Sequence, residues 1–138
     1  MTAIHKALII DDDEINNFIC IRNIKETNFA KEASFCLKGE EGLTQLKEAI
    51  ENDPKELPDV IFLDINMPMM NAWDFLKEYQ TIQPDFGKKV HLFILSSSVY
   101  QKDIDKSGHY DVVTDYIIKP LNKDKLSQIH AKYFGKTI

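Results

Sequence analysis

The chain has 138 residues, of which 43% are hydrophobic and 28% charged, as is typical of one globular domain with a single core. The net charge of −5 and the absence of clustered Lys and Arg argue against nucleic-acid binding, and no apolar run is long enough to cross a membrane. The first apolar run ends in three acids and is not a secretory signal, so we expect a cytoplasmic protein. Cys20 and Cys36 lack metal-type spacing, and we predict two buried free thiols.

Short apolar runs alternate along the chain with longer amphipathic segments. The first run, ALII, predicts a strand over residues 7–10, and the helical spacing of Ile15, Phe18 and Ile19 predicts a helix over about residues 13–25. The other predicted strands cover residues 32–37, 60–63, 90–95 and 116–118. The other predicted helices lie around residues 43–50, from 73 to near 84, over 101–107 and over 123–134.

This order gives five successive βα units. Continuous apolar strands separated by helices predict an α/β fold in which a doubly wound, five-stranded parallel sheet is covered by helices on both faces. The crossovers should be right-handed. In such a sheet, the side chains that perform chemistry lie at the carboxyl ends of the strands.

Four of the predicted strands end in polar side chains. Because the carboxyl ends of parallel strands lie at one edge of the sheet, we expect these groups to come together. In chain order they are Asp11, Asp12 and Asp13, then Asp64 and Asn66, then Ser96, Ser97 and Ser98, and finally Lys119.

The chemistry of these groups is complementary. Crowded carboxylates repel one another unless a cation lies among them, and oxygen ligands at an open cleft suit Mg²⁺. A lysine and a hydroxyl nearby suit a phosphoryl group, which Asp64 could accept as a nucleophile. Each group alone has an ordinary explanation, such as a helix cap at Asp13 or a turn at Lys119 and Pro120. Their occurrence at four strand ends favours a shared phosphoryl site.

The motifs that carry these groups are LIIDDDE, PDVIFLDINMPMMNAW, FILSSS and DYIIKPL. Through them the chain resembles the receiver domain of two-component response regulators, the CheY-like family. The resemblance spans nearly the whole chain. It implies a flavodoxin-like sheet of order 2-1-3-4-5, Mg²⁺-dependent phosphorylation, and a histidine kinase or histidine phosphotransfer protein as the phosphoryl donor.

The resemblance also implies roles for single residues. Asp64 matches the phosphoacceptor and Asp12 the direct Mg²⁺ ligand, while Asp11 should act mainly through water. The remaining protein ligand should be the backbone carbonyl of Asn66. Lys119 matches the lysine that contacts the phosphoryl group.

Two further positions match the switch residues of the family. Ser96 falls at the switch hydroxyl, although a register shift of one residue would give this role to Ser97. Tyr116 matches the aromatic switch. A downstream protein would then contact the surface formed by the fourth helix, fifth strand and fifth helix.

Few positions depart from the family pattern. Ala72 stands where the family often has Gly, Ser96 replaces the commoner Thr, and residues 108–114 are unusually polar. No required chemical group is lost, so we expect an active switch rather than a turnover enzyme. Because the chain ends soon after its last helix, we expect residues 1–138 to form a single receiver domain without an output domain. Homodimerisation stays open.

Three alternatives have distinct signatures. A degenerate receiver would be an interaction module whose partner binding is independent of phosphorylation. A phosphatase that resembles the haloacid dehalogenase class would need a second Asp two residues after Asp64, where Asn66 stands. A flavodoxin-type FMN carrier would need a phosphate-binding loop after the first strand, where the three acids would repel phosphate.

Overall fold

The five apolar runs form the strands of one parallel sheet. The computed structural model describes residues 4–135, so the ends of the predicted domain, residues 1–3 and 136–138, lie outside the described residues. The strand order β2-β1-β3-β4-β5 confirms the predicted fold class. The strands are β1 (Lys6–Ile10), β2 (Glu32–Cys36), β3 (Val60–Leu63), β4 (His91–Ser96) and β5 (Val113–Ile118).

Within residues 4–135, five α-helices connect and follow these strands. None of the helices in the described part of the chain is both long and apolar enough to span a membrane. Two short 3₁₀ turns, Pro54–Glu56 and Gln83–Asp85, follow the second and third helices. The helices are α1 (Glu14–Glu26), α2 (Gly39–Asn52), α3 (Ala72–Ile82), α4 (Gln101–Ser107) and α5 (Lys123–Phe134).

Strand β5 begins three residues before the predicted position. Its first residues include Thr114 and Asp115, which carry no apolar signal. All six residues of this edge strand are only half-buried, and its register with β4 shifts between Leu92 and Phe93. A half-buried edge strand with an irregular register tolerates polar residues. For this reason the apolar residues of the sequence did not reveal where β5 begins.

The sheet divides the core into two apolar clusters. Residues on one face of the central strands, such as Ile61, pack with α2 and α3, whereas Phe62 and its neighbours on the other face pack with α1 and α5. Cys36 lies in the first cluster and Cys20 in the second, so the sheet separates the two thiols. Both are free and buried as predicted, and burial raises each thiol pKa to about 11.

The apolar residues that predicted α1 do not face the core. Ile15, Phe18 and Ile19 are 74%, 68% and 48% exposed, whereas Asn17 and Cys20 point toward the sheet. The spacing of these apolar residues does correspond to a helix, but the face that they form points to solvent rather than to the core. We call these three exposed residues the α1 patch.

Tyr79 is the largest side chain in the fully buried part of the core. Its ring stacks on Phe75 and packs edge-on against Phe86, with centroid distances of 5.7 and 5.5 Å. Its hydroxyl is buried and finds no hydrogen-bond partner within residues 4–135. A buried hydroxyl without a partner loses its hydration without compensation.

Replacement of Tyr79 by Phe should therefore stabilise the protein, by about 1 kcal/mol. Urea unfolding at neutral pH measures this free energy. The matched control is Tyr133→Phe, which removes a hydroxyl that donates to Asp115 at 2.6 Å and should not stabilise. A lower stability of Tyr79→Phe than of the parent chain would contradict the prediction.

Candidate functional site

The polar groups at the strand ends come together at the carboxyl edge of the sheet. Asp11 and Asp12 follow β1, Asp64 follows β3, and Lys119 follows β5. One carboxylate oxygen from each of the three aspartates lies within 4.8 Å of the others. The Lys119 Nζ lies 2.8 Å from Asp11 Oδ2 and 3.4 Å from Asp64 Oδ1. One ammonium group therefore bridges two buried carboxylates.

Helix α1 fixes the orientation of Asp11, which is only 1% exposed. The side-chain amide of Asn16 donates to Asp11 Oδ2 at 2.9 Å, and that of Asn17 donates to the Asp11 carbonyl at 2.8 Å. The backbone N–H of Asp13 donates to Asp11 Oδ1 at 3.0 Å. Both carboxylate oxygens of Asp11 are thus engaged by the protein, whereas the neighbouring Asp12 is exposed to solvent.

Sequence reasoning missed Asn16 and Asn17. The only available signal was a pair of amides in the first turns of a helix that directly follows the acids. Asp13 does cap α1 as predicted, because its carboxylate accepts from the N–H groups of Ile15 and Asn16. This cap holds the helix, and with it both asparagines, against the acid pair.

Asn66 lies in the exposed loop that follows Asp64. Its neighbours Ile65 and Met67 are buried on either side of it. The N–H of Ala72 donates to the carbonyl of Ile65 at 3.0 Å, which closes the loop onto α3. The loop therefore holds Asn66 at the surface, two residues after Asp64.

Ser96 and Tyr116 are linked through the loop that follows β4. Ser96 is buried at the end of β4, while Ser97 is exposed. The Ser96 Oγ accepts a hydrogen bond from the N–H of Ser98 at 3.0 Å. The half-buried Tyr116 donates its hydroxyl proton to the carbonyl of Ser98 at 2.9 Å. The backbone of Ser98 thus lies between the two predicted switch residues.

A sequence model described as response regulator receiver domain matches residues 7–131 of the chain. The chain belongs to this family. Its function therefore lies in two-component signalling, in which receiver domains act as switches rather than turnover enzymes.

Individual proteins agree with this assignment. An uncharacterized response regulatory protein of Shewanella oneidensis is 26% identical over 121 residues, and the match covers 88% of this chain but only 45% of that protein. The chemotaxis protein CheY of Listeria monocytogenes is 27% identical over 127 residues, with coverages of 92% and 96%. The crystal structure of a two-component response regulator from Cytophaga hutchinsonii superposes with a TM-score of 0.86 at 29% identity, covering 98% of this chain and 100% of that one.

The receiver site has unusual electrostatics because its charges are buried together. Burial, which has the largest effect, and the negative charge of Asp11 together raise the pKa of Asp64 to about 6, although the charge of Lys119 opposes them. Burial alone would lower the pKa of Lys119, but its hydrogen bond to Asp11 and the charges of both acids outweigh burial and raise it. The Lys119 ammonium is thus held firmly in its charged form, whereas the attraction of Lys119 does not fully offset the cost of ionising the buried Asp64.

The raised pKa of Asp64 makes a prediction for the metal-free receiver. Its folded-state pKa lies above the value of 3.8 for an ordinary aspartate, so the folded chain holds a proton that the unfolded chain releases. The contribution of this group to stability is fully present below about pH 4 and is lost as the pH rises through about 6. The gain in stability from Asp64→Asn should therefore grow over this range, to about 1–2 kcal/mol at pH 7.

Chemical unfolding in the presence of a chelator, at several pH values, measures this difference. Asp12→Asn is the matched control, because this exposed carboxylate keeps its hydration and its replacement should change stability by less than about 0.5 kcal/mol. A stability gain for Asp64→Asn that is the same at pH 4 and pH 7 would contradict the electrostatic account.

Proposed function

We propose that this receiver is a phosphorylation-dependent switch that accepts a phosphoryl group from phosphohistidine onto Asp64. The observation that carries the proposal is the juxtaposition of Asp64 with a second buried acid, an exposed acid and a bridging lysine. Asp64 is 8% exposed, which limits its hydration. Desolvation of this kind favours reaction with an electrophile over association with water.

The acid cluster fits a magnesium ion. The donors are carboxylate oxygens, and the exposure of Asp12 leaves room for the water ligands that Mg²⁺ retains. Asp12, Asp64 and the carbonyl of Asn66 would hold the ion directly, and Asp11 would act through water because its own oxygens are engaged. Bound there, Mg²⁺ would neutralise negative charge on the phosphoryl oxygens.

The covalent step uses groups of the chain. A carboxylate oxygen of Asp64 forms a bond to phosphorus as the bond from phosphorus to the histidine nitrogen breaks, and the electron pair remains on that nitrogen. Lys119 then exchanges its contact with Asp64 for a contact with a phosphoryl oxygen. The amide of Asn16 stays on Asp11 Oδ2 during this exchange, so the buried Asp11 carboxylate keeps a hydrogen bond.

Ser96 and Tyr116 would report the new phosphoryl group. The buried position of Ser96 at the end of β4, compared with the exposed Ser97, supports Ser96 as the switch hydroxyl. When Ser96 turns toward the phosphoryl group, Tyr116 repacks inward and changes the surface formed by α4, β5 and α5. Phosphorylation thus shifts the population toward the state that contacts the phosphoryl group better. A downstream protein would bind this surface, or the phosphoryl group would be relayed onward.

The α1 patch supports a protein as the phosphoryl donor. A contiguous exposed apolar surface of this kind marks a protein interaction site more often than bulk surface. Ile15 directly precedes Asn16, whose side chain contacts Asp11, so the patch begins at the edge of the site. A histidine kinase or histidine phosphotransfer protein that packs on α1 would bring its phosphohistidine close to Asp64.

The first prediction of this proposal concerns the covalent product. Incubation with Mg²⁺ and a small-molecule phosphodonor should add the mass of one phosphoryl group, and Asp64→Asn should abolish the adduct. Intact-protein mass spectrometry measures both. Omission of Mg²⁺ is the control and should reduce the adduct at least tenfold. A parent chain that gains no phosphoryl mass would instead favour a degenerate receiver whose partner binding is unaffected by Asp64→Asn.

A second prediction separates the donor protein from the chemistry. Phe18→Ser should slow phosphoryl transfer from the cognate kinase or phosphotransfer protein at least tenfold, because it removes apolar contact area from the α1 patch. Labelling by a small phosphodonor should stay within twofold of the parent chain. Lys25→Ala, an exposed change at the far end of the same helix, is the control and should transfer normally. Equal losses with both donors would show that Phe18 supports the fold rather than docking.

A further inference from the structure

His91 begins β4 at the amino edge of the sheet, opposite the acid cluster, and three aromatic rings pack against it. Its ring stacks on Phe93 of the same strand, with a centroid distance of 6.3 Å. The rings of Tyr133 and Phe134, in the last turn of α5, lie 5.9 and 4.8 Å from it. Tyr133 also packs edge-on against Phe93 at 5.3 Å. The half-buried imidazole thus joins the end of α5 to the beginning of β4, and we call these four rings the His91 cluster.

The Nδ1 atom of His91 is buried and finds no hydrogen-bond partner within residues 4–135. A neutral imidazole carries a proton on one nitrogen, whereas a protonated imidazole carries an N–H on both. Protonation would therefore place a positive charge and a buried donor where the described residues offer Nδ1 no acceptor. Burial, which has the largest effect, and the positive charge of Lys89 together lower the pKa of His91 from its ordinary value of 6.5. The folded cluster thus resists a proton that the unfolded chain accepts.

The charged groups on α5 and β5 are engaged with one another rather than with His91. The Tyr133 hydroxyl donates to Asp115 Oδ2 at 2.6 Å, and Lys132 Nζ lies 3.6 Å from the same oxygen. The Lys132 ammonium also lies over the Tyr133 ring, 5.2 Å from its centroid. The ring of His130 lies 5.7 Å from the last ring of the cluster. Asp115 and His130 are therefore the other groups on this side of the cluster through which acid could act on the end of α5.

The charged groups that precede β3, β4 and β5 do not bind Nδ1 either. Lys88 Nζ lies 2.7 Å from Asp59 Oδ1. The carbonyl of Asp59 accepts from the backbone N–H of His91 at 2.9 Å, so this contact holds the strand and leaves the ring free to turn. Lys89 and Asp111 are exposed and line a cavity of about 400 Å³, to which His91 also contributes. The cavity gives a protonated imidazole room to leave the rings and become hydrated.

We propose that His91 is an acid-sensitive latch for helix α5. In its neutral form the ring holds the last turn of α5 against β4. In its protonated form the ring turns into the cavity, Tyr133 and Phe134 lose a packing partner, and this turn detaches. The latch itself does not depend on the chemistry at Asp64. Its consequence rests on the proposed function: α5 belongs to the surface that a downstream protein would bind, so acid would weaken that binding without any change in phosphorylation.

Amide hydrogen exchange of residues 130–134 tests the latch. It is measured with a chelator at about pH 7.5 and about pH 5, and corrected for the intrinsic effect of pH on exchange. In the parent chain, the opening of this turn should increase at least tenfold at the lower pH. In His91→Phe, which keeps an aromatic ring and cannot be protonated, the increase should be less than threefold. Residues 60–63 of β3 are the internal reference and should show no increase, because protonation of Asp64 stabilises the folded chain in acid.

Two matched controls remove the neighbouring groups that acid could also affect. Asp115→Asn keeps an oxygen acceptor for the Tyr133 hydroxyl, and His130→Gln removes the other imidazole beside the cluster. Both variants should keep the tenfold response, because His91 is intact in them. A loss of stability caused by either substitution would raise the opening at both pH values and leave their ratio unchanged.

Proton NMR titration of the His91 ring gives a second measurement. Its midpoint should lie below 6.5, and exchange in the last turn of α5 should change over the same range of pH. A midpoint at or above 6.5, or a parent chain without the acid response, would overturn the latch. So would a response that persists in His91→Phe or disappears in either control. An equal increase in β3 would also overturn it, since that result would show general unfolding in acid rather than a local release.

Discussion

The bridge that Lys119 makes between Asp11 and Asp64 is the interaction on which the site depends. The parallel sheet delivers three carboxylates to one edge, two of them buried, and buried like charges cannot all be ionised without a compensating cation. One ammonium compensates for part of this charge. Burial and the charge of Asp11 still raise the pKa of Asp64, so a divalent cation beside the exposed Asp12 would be favoured.

The same bridge is compatible with the proposed transfer of a phosphoryl group to Asp64. In the proposed reaction, Lys119 would leave Asp64 for a phosphoryl oxygen while Asp11 retains the amide of Asn16. Helix α1 therefore does more than cover the sheet: its first turns fix Asp11, and its exposed patch offers a surface beside the site. On the opposite side of the site, Ser98 connects the end of β4 to a short helix that the core holds only lightly. The acids at the site are held by several short hydrogen bonds and ion pairs, whereas α4 buries little of its surface in the core. A rigid site next to a weakly packed helix suits a switch.

Much of this could be predicted from the sequence because the central strands are continuous apolar runs that end in charged or polar residues. That pattern predicted the parallel sheet and the residues that meet at its edge. The resemblance to the family added the order of the strands. It failed at β5, because an edge strand with Thr114 and Asp115 lacks the apolar signal of a buried strand. Helical spacing predicted α1 correctly but could not tell that Ile15 and Phe18 face solvent while Asn17 faces the core. The hydrogen bonds of Asn16 to Asp11 and of Ser98 to Ser96 and Tyr116 depend on side-chain and loop geometry, which the periodicity of a sequence does not predict.

The most direct test of the central claim is to locate a bound divalent ion by anomalous diffraction from crystals grown with Mn²⁺. The electrostatic account predicts a strong peak in contact with the carboxylates of Asp12 and Asp64 and with the carbonyl oxygen of Asn66. It also predicts that the peak disappears in Asp64→Asn crystals grown under the same conditions. A well-ordered site without an anomalous peak, or an ion bound away from Asp64, would contradict the claim that the carboxylates at this sheet edge are arranged to hold a cation.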